Sequence, residues 1–264
     1  MKTMLNKVEE TVRKAAELAD LSKIKIEEKG TSCNIVTSAD IAVQEYLCKE
    51  LHSILPEAGF YCEEENLKDT TSQYIWVVDP IDGTMNFSRG ISDCCISVGL
   101  IKDKQPLLGV VYVMSRNEMF KAQIGKGAYL NDEPIHVSDR TFDKCLLCTA
   151  ASTYRKEYAK TCFDIIEELH YQTNDFRRFG TCAEELCYLA CGKCELYFEY
   201  RIMPWDYAAG YAILKEAGGV LTDLHGEQLK FDRGVVLIGA NNCENHQRLS
   251  KIVSKYIPEK PYKD

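Results

Sequence analysis

The chain has no long apolar run, no basic excess, no internal repeat and no low-complexity tract or extended linker. Its longest apolar stretches, such as Cys94 to Ile101, fall far short of the roughly 20 residues that a spanning helix needs, which excludes a helical membrane protein. With 32 Lys+Arg against 40 Asp+Glu the net charge is -8. A general nucleic-acid binder carries a basic excess, so the charge argues against nucleic acid as a partner; it leaves a local anion site open. At 45% hydrophobic and 27% charged residues, the composition also rules out collagen, a disordered polymer and a coiled coil. The segment Met1 to Leu21 mixes charge with apolar residues at helical spacing (Val8, Val12, Ala15, Ala16, Ala19). It has neither a continuous apolar region nor a small-residue cleavage site, so no signal peptide is expected. The expectation is a cytoplasmic protein with reduced thiols.

What the chain has in quantity is cysteine, 13 residues of 264. Two pairs have CxxC spacing, Cys145/Cys148 and Cys191/Cys194, which permits a four-thiolate zinc site. The preferred reading is buried free thiols. Cys145-Leu146-Leu147-Cys148-Thr149 reads as a strand, in which residues three apart face opposite ways, and free cysteine packs as a small hydrophobe.

Length allows one large domain or two small ones. Helical spacing opens the chain and returns from Ala39 to Leu55 (Val43, Leu47, Leu51, Ile54), with Ser38 and Asp40 as cap candidates and Pro56 as the stop. Ile75 to Val78, Cys94 to Lys102, Leu107 to Met114 and Glu118 to Gln123 read as strands. Gly125-Lys126-Gly127 is a hairpin turn rather than a nucleotide loop, since no helix follows it. The second half alternates: a strand at Leu146 to Thr149, a helix at Tyr158 to Tyr171, a helix at Cys182 to Cys191, a strand at Glu195 to Tyr200, a helix from Asp206 to Ala217 closed by Gly218-Gly219, then strands at Val220 to Thr222 and Val235 to Gly239. This predicts a mixed α/β chain of two intimate subdomains, residues 1–140 and 141–264.

The strongest chemical signal is Trp76-Val77-Val78-Asp79-Pro80-Ile81-Asp82-Gly83-Thr84. An apolar strand runs into two carboxylates three residues apart, and Pro80 fixes the backbone between them. Asp79, Asp82 and the Ile81 carbonyl can then point into one cavity as oxygen ligands for a hard divalent cation such as Mg²⁺. Gly83 and Thr84, at the start of a short helix, can offer backbone N–H groups to an anion. Upstream, Glu63-Glu64-Glu65 ends a short strand as Asp79 ends another. Two such ends side by side gather Glu63, Asp79 and Asp82, a like-charge cluster that implies a cation. Downstream, Met203-Pro204-Trp205-Asp206 opens a helix on which Asp206 is a cap candidate.

Taken together with Thr37-Ser38-Ala39-Asp40 and Arg178-Phe179-Gly180-Thr181, these motifs resemble the inositol monophosphatase family from roughly Lys29 to Gly219. The resemblance implies a layered αβαβα sandwich, a homodimer, and Mg²⁺-dependent, lithium-sensitive hydrolysis of phosphate monoesters of small polyols or sugars, inositol 1-phosphate foremost. It implies that Glu63, Asp79 and the Ile81 carbonyl hold one Mg²⁺ and that Asp79, Asp82 and Asp206 hold a second, with Glu63 reaching a weaker third. Paired cations can stabilise both the attacking and the leaving oxygen of an in-line displacement. Glu64 and Thr84 would orient the attacking water, and Asp40 would accept the Thr84 hydroxyl proton. Glu199 would bind substrate hydroxyls, the alternative being a charge on an edge strand; Asp82, Gly83 and Thr84 also touch substrate in this reading. Lys29 matches a lysine near the active-site flap, and Arg177, Arg178 and Arg201 are candidates for substrate or dimer contacts.

Cys62, Met85 and Cys182 stand where the family commonly has smaller residues, which bears on substrate and not on metal. Three sister activities share the fold: fructose-1,6-bisphosphatase, histidinol-phosphate phosphatase and 3′-phosphoadenosine 5′-phosphate phosphatase. Only the 14 residues 65 to 78 separate the Glu pair from Asp79, which disfavours the nucleotide enzymes with their longer insertion. A different class is a regulatory protein that keeps the fold and contacts RNA polymerase or RNA; the complete carboxylate set argues against it.

Overall fold

Burial on both faces is what turns Tyr74–Asp82 into a near-continuous apolar strand rather than an alternating one. In the computed structural model, which describes residues 3–64, 67–69 and 71–257, Trp76 and Val78 pack to one side of this strand and Ile75 and Val77 to the other. The first side belongs to two helices, α1 (Met4–Ala16) and α2 (Ser38–Ile54), whose Val8, Val12, Ala15, Val43, Leu47 and Leu51 are fully buried there. Between these helices runs a hairpin, β1 (Ile26–Thr31) and β2 (Asn34–Thr37), which periodicity did not reveal because β1 is largely exposed and β2 is half-buried without alternation.

Seven strands form the first sheet in sequence order: β3 (Gly59–Cys62), β4 (Tyr74–Asp82), β5 (Cys95–Lys102), β6 (Gln105–Val113), β7 (Glu118–Gln123), β8 (Ala128–Leu130) and β9 (Glu133–Pro134). Only β3 and β4 pair in parallel, so their C-terminal ends lie side by side. A five-residue helix, α3 (Thr84–Ser88), follows β4. The second sheet, in spatial order, has β11 (Asp175–Arg177), β10 (Leu146–Thr149), β12 (Leu196–Ile202), β14 (Val235–Ala240) and β13 (Val220–Asp223). Its outer face packs on α4 (Ala159–His170) and α7 (Cys243–Val253), the latter not anticipated from the sequence. Its inner face and that of the first sheet close on α5 (Cys182–Ala190) and α6 (Pro204–Glu216). The layers therefore read αβαβα, as expected. No helix among the described residues is long and apolar enough to cross a membrane.

Two glycines let α6 approach the first sheet. Gly99 and Gly109 are cross-strand partners. A Cβ on Gly99 would stand 3.1 Å from Ala208 Cβ, and one on Gly109 would stand 2.2 Å from the Ala209 carbonyl oxygen. Gly109→Ala is therefore expected to push α6 off the sheet and to lower unfolding stability by about 1–3 kcal/mol, the usual range for overpacking. Denaturant unfolding checks this, and a variant as stable as the parent refutes it. The far end of α6 is latched as well: the Glu216 carboxylate accepts hydrogen bonds from the amides of Gly125 (2.9 Å), Lys126 (3.1 Å) and Gly127 (2.7 Å). The Gly-x-Gly turn between β7 and β8 is a hairpin turn as expected, and its anion is the protein's own carboxylate.

Two cap assignments change. The N-cap of α2 is Thr37 rather than Ser38. Its hydroxyl accepts from the amides of Ala39 and Asp40, while the Asp40 carboxylate accepts from the Thr37 amide. In α6 the cap position is Met203, because Pro204, with its preset φ, starts the helix two residues before Asp206. Asp206 sits at the third helical position and accepts from the Met203 amide at 2.8 Å.

Candidate active site

Asp79, Asp82 and Asp206 meet where β4 ends against the start of α6, with one carboxylate oxygen from each within 4.8 Å of the others. The local fold explains the meeting. Pairing of β4 with β5 is regular to Asp79↔Ser97, then shifts before Asp82↔Cys95. Pro80 lies in that irregularity, where the ladder needs no donor from it. The bulge turns both aspartates toward α6. Each carboxylate is held by one oxygen. Asp79 Oδ1 accepts from the Ile81 amide at 3.1 Å, and Asp82 Oδ2 from the Thr181 hydroxyl and the Ala183 amide, both at 2.7 Å. Asp206 Oδ2 accepts from Met203. The second oxygen of each remains for a cation.

Such a group is unfavourable on its own. Burial first, and then the charges of Glu63, Asp82 and Asp206, push the Asp79 carboxyl well above the usual range. Asp206 is raised in the same way, by burial and then by Asp82 and Glu63. Asp82 is pushed up to about 7, chiefly by burial, although its two donors pull it down. A divalent ion removes both penalties at once, so these oxygen donors fit a hard cation.

The end of β3 supplies the neighbouring carboxylates. The Glu63 amide donates to the Val78 carbonyl at 3.1 Å, extending the β3–β4 register by one residue. Glu63 lies outside the three-residue group, yet its charge acts on Asp40, Asp79, Asp82 and Asp206. Glu64 is buried, and burial raises its carboxyl to about 7 against the opposing pull of Lys29. Lys29, on β1, bonds Glu63 at 3.3 Å and Glu64 at 2.5 Å, so the matched lysine reaches the site. Glu65 lies outside the described residues. Gln44 was missed by the sequence reading: its Nε2 donates to the Glu64 carbonyl and its Oε1 accepts from the Glu64 amide, each at 3.0 Å. The one signal available was its spacing, four residues after Asp40 and so on the same face of α2 as that candidate.

The Thr84 hydroxyl is 3.2 Å from Asp40 Oδ1 and 2.9 Å from the Ile81 carbonyl oxygen. The expected Thr84–Asp40 contact is present, and Ile81 competes for the same proton. Asp40 is fully buried and serves both as the N-terminal partner of α2 and as an acceptor for Thr84; burial raises its carboxyl. Gly83 has φ +87°, and a Cβ there would lie 3.0 Å from the Asp93 carbonyl oxygen, so any other residue would be strained at the entry to α3.

Glu199 lies on β12, the middle strand of the second sheet, which removes the edge-strand alternative. Tyr197 Oη donates to it at 2.5 Å, burial raises its carboxyl, and its charge acts on Asp82 and Asp206. Cys182, buried at the first position of α5, feels Glu199, Asp206 and Asp82. Sequence reasoning also missed Thr181 and Ala183 as anchors of Asp82, and Glu185, whose buried carboxylate accepts from the amides of Phe179 (2.7 Å) and Gly180 (3.1 Å). Arg178 donates to the Thr153 hydroxyl and Arg177 pairs with Asp175. Arg201 has a left-handed backbone, φ +61°. Of the two CxxC pairs, Cys145, Cys148 and Cys194 are buried thiols and Cys191 is half-buried, and Cys145 and Cys148 pack on opposite faces of the second sheet, as expected for a strand.

Comparison with known proteins gives a consistent picture. The profile of the inositol monophosphatase family matches residues 2–257. Inositol monophosphatase 3 of Solanum lycopersicum is 36% identical over 244 residues, 89% of this chain and 90% of its own. A Nus factor SuhB of Xylella fastidiosa is 36% identical over 191 residues, 72% of this chain and 69% of its own. The solved structure of a Thermotoga maritima IMPase superposes with a TM-score of 0.84 at 29% identity, covering 94% of this chain and 95% of that one.

Proposed function

Because the chain belongs to the inositol monophosphatase family, we propose that it is a Mg²⁺-dependent phosphatase of small polyol or sugar monoesters, with inositol 1-phosphate its best substrate. One observation carries the reading: the group of buried Asp79 and Asp82 with half-buried Asp206 is complete and is electrostatically unfavourable without a cation. Glu63, Asp79 and the Ile81 carbonyl would hold one Mg²⁺; Asp79, Asp82 and Asp206 would hold another, and Glu63 would reach a third. When bound, the metal supplies Lewis-acid polarisation of the phosphoryl group and a more acidic water.

The protein's own groups do the rest. The Thr84 hydroxyl donates a hydrogen bond to the Ile81 carbonyl or to Asp40, which turns an oxygen lone pair toward the attacking water. Glu64, with a carboxyl near 7, is matched to taking that water's proton at neutral pH. Gln44 fixes the backbone from which Glu64 projects. The amides of Gly83 and Thr84 receive the phosphate, and Asp82 and Glu199 receive substrate hydroxyls. The family also supports a homodimer as the working assembly. Similarity to a Nus factor supports a regulatory role of the same fold; the complete carboxylate set favours catalysis.

The test is phosphate release from inositol 1-phosphate, fructose 1,6-bisphosphate, histidinol phosphate and 3′-phosphoadenosine 5′-phosphate, with and without Mg²⁺. Inositol 1-phosphate is expected to give the highest kcat/KM, with no turnover in metal-free buffer. No release from any of the four overturns the proposal. Within that panel, Glu199→Gln is expected to lower kcat/KM for inositol 1-phosphate about tenfold, the scale of one hydrogen bond to a charged group, while sparing a small generic phosphate ester. Equal losses on both would remove Glu199 from the substrate site.

A further inference from the structure

A pair of thiols adjoins the carboxylates without belonging to them. Cys48, on α2, and Cys62, the last residue of β3, place their Sγ atoms 3.8 Å apart. Cys62 is buried and Cys48 is partly exposed. Cys62 directly precedes Glu63 and Glu64. Cys48 belongs to a row on α2, Asp40, Gln44 and Cys48, spaced by four residues and so stacked on one helix face. Each member of the row touches a different part of the site. Asp40 meets Thr84, Gln44 holds the backbone of Glu64, and Cys48 meets Cys62. The end of β3 is thus set against α2 at two points one helical turn apart, the first polar and the second through sulfur.

We propose that Cys48 and Cys62 form an oxidation site that closes to a disulfide under a peroxide, and that the closed form binds the divalent cation more weakly. Cys48, the accessible partner, attacks the peroxide as its thiolate. The O–O bond breaks, one oxygen stays on sulfur as a sulfenic acid, and the other leaves as hydroxide and takes up the proton released by Cys48. The Cys62 thiolate then attacks the Cys48 sulfur, the S–O bond breaks, and the departing hydroxide takes the Cys62 proton. Two electrons pass from the two sulfurs to the peroxide, and two waters form.

The effect on metal follows from where the movement must fall. Sulfur–sulfur bonding shortens 3.8 Å to about 2 Å. Helix α2 is fixed in the core by the fully buried Val43, Leu47 and Leu51, whereas the β3 end is held by backbone bonds from Cys62 to Leu67 and from Glu63 to Val78 and by the Gln44 bonds to Glu64. A pull on Cys62 toward α2 acts directly on the residues that follow it, and so shifts Glu63 and Glu64 relative to Asp79. Cys148 and Cys194 also adjoin each other, but both are buried between the sheets, out of an oxidant's reach. The metal half of the proposal rests on Glu63 and Glu64 serving the cation site; the disulfide itself does not.

The experiment treats the reduced full chain with hydrogen peroxide, maps disulfides by peptide mass spectrometry, and measures Mg²⁺ binding by calorimetry on reduced, oxidised and re-reduced protein. The expected result is a Cys48–Cys62 cross-linked peptide and a Kd for Mg²⁺ raised about tenfold, the scale of a lost supporting contact, restored by dithiothreitol. Cys48→Ser and Cys62→Ala should each bind Mg²⁺ normally and ignore peroxide. Absence of the cross-linked peptide, a disulfide with unchanged or tighter Mg²⁺ binding, or a peroxide response that survives in both variants overturns the proposal. A reduced chain that binds no Mg²⁺ overturns the proposed function and the metal half of this inference together, and the cross-linked peptide still decides the thiol half.

Discussion

Asp79→Asn is expected to lose turnover by about a thousandfold with saturating Mg²⁺, while the metal-free protein becomes more heat-stable than the parent. The first effect follows from position. Asp79 is the carboxylate common to both proposed cation sites, and a metal ion supplies several kcal/mol of transition-state stabilisation, each 1.36 kcal/mol being tenfold in rate. The second follows from burial. The Asp79 carboxyl is 1% exposed and faces the charges of Glu63, Asp82 and Asp206. An asparagine keeps an oxygen for the Ile81 amide and removes the repulsion. The two readouts are separable: kcat on inositol 1-phosphate, and melting temperature in EDTA against Mg²⁺. The parent should gain stability from Mg²⁺ and the variant should gain little. A variant with parental kcat, or with an undiminished Mg²⁺ stabilisation, refutes the assignment of Asp79.

How much of this site could be read from the residues alone depended on whether a residue acts with its neighbours in sequence or across the fold. Asp79 and Asp82 were legible because an apolar strand running into Asp-Pro-Ile-Asp-Gly-Thr leaves few conformations. The adjacency of Glu63 followed from two strand ends, and the parallel pairing of β3 and β4 bears it out. The helix and strand assignments held to within a few residues where burial imposed a period, as along α2 and β7. They failed for β1 and β2, the first exposed and the second half-buried without alternation, and for α7, whose Leu249, Ile252 and Val253 were passed over. Thr181, Ala183 and Gln44 act at sequence distances of 99, 101 and 20 residues, so only the fold brings the first two to the Asp82 carboxylate and the third to the Glu64 backbone. Two of those three contacts use backbone amides or carbonyls, which side-chain patterns do not encode. Cap positions slipped for a local reason: Thr37 and Pro204 each start a helix earlier than the apolar spacing suggests.

Raising pH should destabilise the metal-free protein between about 5 and 8 and should enlarge the stabilisation that Mg²⁺ provides. Burial and mutual repulsion raise Asp79, Asp82, Asp206 and Glu64 in the folded state, Asp82 and Glu64 to about 7. Between the ordinary carboxylate range and that value, the folded chain holds protons that the unfolded chain has released. Stability changes with pH in proportion to protons bound unfolded minus protons bound folded, so the sign here is negative and stability falls as pH rises through the window. Asp20, Asp69 and Asp175 are lowered by hydrogen bonds; their contribution is present above the ordinary range and is lost only in stronger acid, below this window. His246 opposes the trend, since burial lowers it and its folded form gains as pH passes the usual histidine range, but it is one group against these four and against Asp40, Glu184, Glu185 and Glu199, which burial also raises. Mg²⁺ requires the carboxylates deprotonated, so its affinity rises over the same interval and binding releases protons. For a chain of this size the gap in melting temperature between Mg²⁺ and EDTA is expected to widen by about 5–10 °C from pH 5 to pH 8. Thermal scans at four pH values in both buffers measure it. If the metal-free protein instead gains stability steadily to pH 8, or the Mg²⁺ gap is the same at every pH, the carboxylate group is not the buried, cation-demanding cluster on which the proposed chemistry depends.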